Sequence, residues 1–253
     1  MNSFFRRKLI TPFLALLLVL GSVGGTIGVM QLIPPSQIIL STEQLYKKSV
    51  EDAMIADADE IKPLVTLTKE SNMVTWNEKA DKILLISWHK YPDRYKQGET
   101  TTLSHGEVWT FTDKEIAKWY QANKNGVSDW NLRFKQLIGL PPDSKYTHFT
   151  ALWANPADVY RPAYITDIAT ANMATTLIEK ENTEYKNWFN DNILFSYYED
   201  AYPWTRLGYT YDWADNGTEY GLSEFLIAKD AAVSIEFTKT TEDFIKWLDG
   251  INK

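Results

Sequence analysis

The sequence contains no cysteine, which excludes disulfide staples, a thiol nucleophile and thiolate metal sites together. Histidine is almost as scarce. His89, His105 and His148 stand far apart with none of the spacings that zinc sites use, so no metal centre is expected. The common catalytic signatures are missing as well. There is no G-x-S-x-G, no H-E-x-x-H, no Walker loop and no glycine-rich dinucleotide loop after residue 33, so no cofactor is expected. Asp212 to Ser223 follows a calcium loop only in outline, because Ala214 and Ser223 stand where ligands belong. Positive charge is also short. Apart from Arg6, Arg7 and Lys8, 23 basic side chains face 33 acidic ones, a net of −10, which argues against nucleic acid or an anionic surface as partner.

Apolar and aromatic residues are abundant by contrast: 44% of the chain is hydrophobic and ten residues are Trp, enough for a core that holds without cross-links. Part of this is one run. After Arg6-Arg7-Lys8 no charge occurs until Glu43, and Leu9 to Ile33 is apolar apart from small residues, two Thr, one Ser, one Pro and Gln31. A membrane helix needs about 20 such residues. A cleaved signal peptide has a shorter apolar region of roughly 7–15 and a small-residue cut site. Leu9–Leu20 fits the shorter region, but no Ala lies near the expected cut and the run continues to Ile33. An N-terminal membrane helix is therefore expected, with a cleaved signal peptide as the alternative. Either places the remainder outside the cytoplasm; the uncleaved helix holds the protein at the cell membrane with the basic cluster inside, and cleavage makes it secreted. The chain divides into 1–33 (signal-anchor or signal peptide), 34–41 (an extended spacer with paired prolines) and 42–253 (one extracytoplasmic domain).

Within the domain, Ser41 with Gln44 and Thr112 with Glu115 form capping boxes that open helices towards Ala56 and over Asp113–Asn123. Ser128, Asn182 and Thr240 start three more. Pro63–Thr68, Lys82–Trp88, Glu107–Phe111 and Thr147–Ala154 read as strands, with Ile83–Ile86 apolar throughout, as in a central strand buried on both sides. Residues 89–106 form a long polar connection. Tyr202 to Phe225 carries the strongest local signal. Asn216-Gly217 matches a two-residue type I′ turn, which sets Trp213 opposite Tyr220, Tyr211 opposite Leu222 and Tyr209 opposite Glu224. Continued through Asp230-Ala231, this predicts a C-terminal three-stranded meander over 207–238, with Leu226 facing Ile235 and Glu224 facing Phe237. Helices and strands mix without a βαβ rhythm, so the expected class is α+β, a single domain with a mixed or antiparallel sheet.

Four phrases carry a resemblance: QLIGLPP (136–142), PADVYRP (156–162), PWTRLGYTYDW (203–213) and GLSEF (221–225). They resemble a family of exported bacterial proteins of uncharacterised function, over roughly residues 80–238. The resemblance implies an exported α+β domain and no activity. Where the resemblance leads one to expect a Cys after the Arg-Pro step, this chain has Ala163 and Tyr164.

The candidate site residues come from composition. The part after residue 33 has 19 Lys but only four Arg, and Arg133, Arg161 and Arg206 sit beside apolar or aromatic residues. Where Lys is the default surface cation, such an Arg serves either a structural pair with Asp158, Asp212 or Glu224, or the grip on a ligand carboxylate or phosphate. Glu224, on an apolar strand face, is either paired or raised in pKa and able to act as an acid. Trp204, Tyr209, Tyr211 and Trp213, within a run of eight aromatics between Tyr197 and Tyr220, either pack the core or stack on sugar. Two functional readings follow. The first is a membrane-anchored domain that binds a small molecule, glycan or protein at a cleft lined by these residues. The second is an envelope glycan or peptide hydrolase with a carboxylate pair that includes Glu224, partnered by Asp212 or Asp158. The opposite facing of Glu224 and Asp212 in the expected hairpin favours binding.

Overall fold

The computed structural model describes residues 40–251, apart from 179 and 200. The apolar run 9–33 and most of the spacer lie outside the described residues. Among those described, no helix is long and apolar enough to cross a membrane.

Among the described residues, five α-helices and nine strands make an α+β domain. They are α1 (Thr42–Ala53), β1 (Ile83–His89), β2 (Thr100–Thr102), β3 (Val108–Thr112), α2 (Asp113–Asn123), α3 (Trp130–Leu137), β4 (His148–Ala154), β5 (Val159–Tyr160), α4 (Thr183–Leu194), β6 (Tyr209–Tyr211), β7 (Tyr220–Ser223), β8 (Phe225–Ile227), β9 (Ala232–Thr240) and α5 (Thr241–Gly250). Seven strands form one sheet in the order β2-β9-β4-β1-β3-β8-β5, antiparallel at every pairing, and β6 pairs with β7 separately. The sheet is thus antiparallel, not mixed.

The capping signals locate the helices. Ser41 and Gln44 complete their box at α1. At α2 only half the box forms: Thr112 accepts from the Glu115 N–H, while the Glu115 side chain turns inward to Ser223. α3 takes its cap from Asp129 instead of Ser128. The stretch 63–68 is extended but is not a strand. Leu64 and Leu67 donate to the carbonyls of Ala171 and Ile168 in an irregular loop.

β1 is buried along its whole length. Leu84, Ile86 and Trp88 pack with Ile116, Phe134, Leu137, Phe244 and Leu248 of α2, α3 and α5. Ile83 and Leu85, on the other face, pack with Leu152, Phe225, Ile227, Val233 and Ile235. That second cluster joins strands from opposite ends of the sheet. β8 and β9 are separated by three strands, which at about 4.8 Å per step is roughly 19 Å across a flat sheet. The five-residue step from Ile227 to Ala232 reaches at most about 17 Å. The sheet therefore curls, and its concave side encloses the second cluster.

The expected meander does not form. Residues 220–227 change partners at Glu224: β7 pairs with β6, and β8 pairs with β3 and β5. Leu226 faces Trp109 and Tyr160, not Ile235. β9 pairs with β4 and β2, so Phe237 faces Ala151 and not Glu224. The turn after β8 is real, with Asp230 at φ +65°, but it feeds β9 to the far side of the curl, where Val233 and Ile235 find apolar neighbours.

Candidate functional site

The tip of the β6–β7 hairpin decides several of the nominated residues. Gly217 has φ +82°, but Asn216 is not among the residues with positive φ, so the type I′ turn is absent. Asp212 organises an open loop instead. Its carboxylate accepts from the Ala214 N–H at 3.1 Å and the Asn216 amide at 3.2 Å. Arg133 of α3 grips the same carboxylate with two bonds of 2.9 and 2.6 Å, and its guanidinium lies 4.7 Å over the Trp119 ring. The register is shifted accordingly: Tyr211 faces Tyr220, and Tyr209 faces Ser223. Trp213, freed from Tyr220, is buried edge-on against Tyr46 and donates to the Leu140 carbonyl.

Arg206 adopts φ +59°, a backbone state uncommon for a residue with a side chain. That turn carries its guanidinium to the carbonyl of Ala53, the last residue of α1, at 2.8 Å. Tyr197 lies 5.2 Å away and Tyr164 5.7 Å. A cation at a helix C-terminus complements the orphan carbonyls there. Trp204 is buried with its indole N–H on the Pro162 carbonyl.

Glu224 and Arg161 belong to a sealed polar cluster. Arg161 is wholly buried, stacks 4.6 Å over Phe225 and donates to the carbonyls of Val65 and Thr170 at 2.8 and 3.2 Å. Its Nε and Nη1, and Oε2 of Glu224, have no hydrogen-bond partner among the described residues. Beside them Ser223 donates through N–H and Oγ to both oxygens of Glu115, at 2.9 and 3.0 Å, and its Oγ accepts from the Val65 N–H. Burial pushes the Glu224 carboxyl up to about 8 against the pull of Arg161. Burial pushes Glu115 up to about 7, moderated by the Ser223 bonds. Arg161, also desolvated, comes down to about 10. The cluster therefore sets one cation against two carboxyls whose burial favours their protonated forms. Both alternatives read from the sequence for Glu224 meet here: an Arg is near, and the carboxyl still prefers its proton. The packing is tight, since a Cβ on Gly208 would stand 2.9 Å from Arg161 Cδ.

A second group of acids lies at the surface. Oxygens of Asp52, Glu60 and Glu219 come within 4.8 Å of one another, in a small depression also lined by Tyr209 and Tyr211. Tyr211 donates to Asp52 at 2.9 Å and Tyr209 to the Glu60 carbonyl at 3.2 Å. Such hard oxygens suit calcium or magnesium. Partial burial, then the charges of Glu60 and Asp52, push Glu219 up to about 7, so the group also relieves its repulsion by holding a proton. Sequence reasoning missed this trio because residues 52, 60 and 219 share no spacing. A third feature is a groove of about 470 Å³ between β4, β9 and α5, lined by His148, Lys239, Lys246, Asp243 and Trp247. Two of its charges are engaged locally: Lys246 pairs with Asp243 at 2.8 Å, and Asp243 occupies the start of α5. Neither depression is lined by Glu224.

The nine nominated residues thus do not converge on one open cleft. They fall into the Asp212–Arg133 clasp with Trp213, the Arg206–α1 contact with Trp204, the sealed Arg161–Glu224 cluster, and the rim formed by Tyr209 and Tyr211. Comparison with protein-family models, curated proteins and solved structures returned no match.

Proposed function

We propose that the chain is a membrane-anchored, extracytoplasmic domain that binds a ligand or partner and performs no covalent chemistry. One observation carries the non-catalytic part: Glu224 and every Arg nominated for chemistry are sealed from solvent or held by the protein, and Asp158, which is half-buried, has no reachable partner carboxylate in Glu224. Glu224 and Arg161 are buried, Asp212 is locked by Arg133, and Arg206 is bound to α1. A general acid must reach its substrate before its pKa matters. The anchor and the exported setting rest on the apolar run after Arg6-Arg7-Lys8 and on the resemblance carried by the PWTRLGYTYDW and GLSEF phrases.

Two measurements test this. Full-length protein in its membrane is incubated with envelope glycan and peptide fragments, and the products are read by mass spectrometry. Retention without new products is expected. A product that Glu224→Gln no longer forms, at unchanged melting temperature, overturns the non-catalytic reading. Protease added outside the cytoplasmic membrane should digest the domain, and a protected domain overturns its placement.

A further inference from the structure

An aromatic strip crosses the β3–β8–β5 end of the sheet. Trp109, Leu226 and Tyr160 are register partners across three strands, so they project from one face. Leu226 is fully buried. Trp188 of α4 closes over the middle of this row, 6.5 Å from Trp109 and 6.0 Å from Tyr160 between ring centres. Trp109 is 40% exposed, and Trp188 and Tyr160 are half-buried. The two indole planes are inclined by only 36°, while Tyr160 meets Trp188 edge-on at 86°. The result is a partly exposed row of rings longer than one pyranose ring, with Trp109 its most exposed member and Trp188 backed by Tyr185 at 5.4 Å.

Polar groups surround it. Glu107 stands two residues before Trp109 in extended chain, and Glu184 four before Trp188 on one helix face. Both are exposed, and both act on the Tyr160 hydroxyl, whose pKa is raised by burial and then by these two charges. Neither carboxylate, nor the Tyr160 hydroxyl, nor the indole N–H of Trp109 or Trp188, hydrogen-bonds or ion-pairs with another described residue. The buried Trp204 and Trp213 differ, since they donate to the Pro162 and Leu140 carbonyls.

We propose that Trp109, Trp188 and Tyr160 form a platform for a neutral pyranose oligosaccharide, with Glu107 and Glu184 accepting from its ring hydroxyls. This rests on the binding reading above and supplies its ligand class. The C–H faces of a pyranose match the indole faces of neighbouring Trp109 and Trp188, inclined by 36°, and its hydroxyls match free acceptors and indole donors. The two carboxylates disfavour an anionic ligand. A caged ammonium needs rings that enclose a space, whereas these three rings stand in a row with neighbouring centres 6.0–6.5 Å apart.

The test titrates the full chain in lipid nanodiscs with cellotetraose, chitotetraose and tetralysine by calorimetry. One of the saccharides should bind with Kd between about 10 μM and 1 mM. Trp109→Ala should weaken it about tenfold, the loss of one stacked ring, and Trp109→Phe less. The paired change Glu107→Gln with Glu184→Gln should weaken it about threefold, the scale of a lost hydrogen bond. Tyr91→Ala, an exposed ring elsewhere, should change nothing. Unchanged melting of Trp109→Phe guards against misfolding. No saccharide binding at about 10 mM overturns the proposal, as does saccharide binding indifferent to both Trp109 variants. Binding of tetralysine alone, lost with the two Gln changes, replaces the sugar with a basic partner and leaves the broader binding reading intact. Hydrolysis of either saccharide sinks that broader reading as well.

Discussion

Two clusters of carboxylates in this molecule reach similar proton affinities by different routes. Glu115 and Glu224 sit inside, beside Arg161, with burial as the dominant cause. Glu219 sits at a rim beside Asp52 and Glu60, where partial burial is reinforced by like charge. The inner cluster has a countercharge and no solvent; the outer one has solvent and little countercharge. A raised carboxyl pKa is therefore a poor pointer to catalysis here. It marks desolvation in one place and crowding added to it in the other, and only access separates them.

The strongest way to break this contrast is to remove the inner cation. Arg161→Met should destabilise the domain by about 3–5 kcal/mol in urea at pH 8, as expected when buried partners are stranded. At pH 5 both acids are protonated and the loss should shrink. Equal losses at the two pH values would mean that the carboxyls do not feel Arg161.

Glu224→Gln comes next. The folded carboxyl is raised to about 8 from an unfolded value near 4.3. Its stabilising contribution is thus complete below about pH 4 and is lost as pH rises through about 8. Glu115 adds a similar loss through about 7. The melting temperature should fall between pH 5 and pH 9, and Glu224→Gln, a neutral mimic, should remove about half of that fall. A strong destabilisation by Glu224→Gln at pH 6 would instead show a buried anion paired with Arg161.

At the rim, Glu219→Gln should stabilise slightly, within about 0.5 kcal/mol, by relieving repulsion where solvent already screens it. A clear loss of stability would show that the Glu219 bond to Tyr220 outweighs the repulsion. The smallest difference concerns two glycines. Gly98 and Gly217 have φ of +80° and +82° with open space around both, so Gly98→Val and Gly217→Val should melt within about 0.5 kcal/mol of each other. A much larger cost at Gly217 would restore the tight hairpin turn.

The sequence was a good guide wherever a local rule acted alone. Ser41, Thr112 and Thr240 cap their helices, Ile83–Ile86 form a strand buried on both faces, and the α+β class follows from those elements. It misled where a distant side chain outbid a local preference. Asn216-Gly217 would close a two-residue turn, but Arg133 holds Asp212 and spreads the loop. Glu115 would complete a capping box, but Ser223 draws it inward. Among the candidate residues, the scarcity of Arg identified real anchors, Arg133, Arg161 and Arg206, without revealing that each points into the protein. Trp109 and Trp188 were not legible as a pair. Nothing in their spacing says that β3 and α4 meet.

The change of partner at Glu224 has a consequence for how the domain comes apart. β7 and β8 are one continuous strand threaded through two sheets, and only Glu224 separates them. Pulling the hairpin open must tug on the hydrogen bonds that β8 shares with β3 and β5. The smaller sheet thus has no independent melting of its own. Its amides should exchange with solvent at the same rate-limiting opening as those of β3, as one cooperative unit.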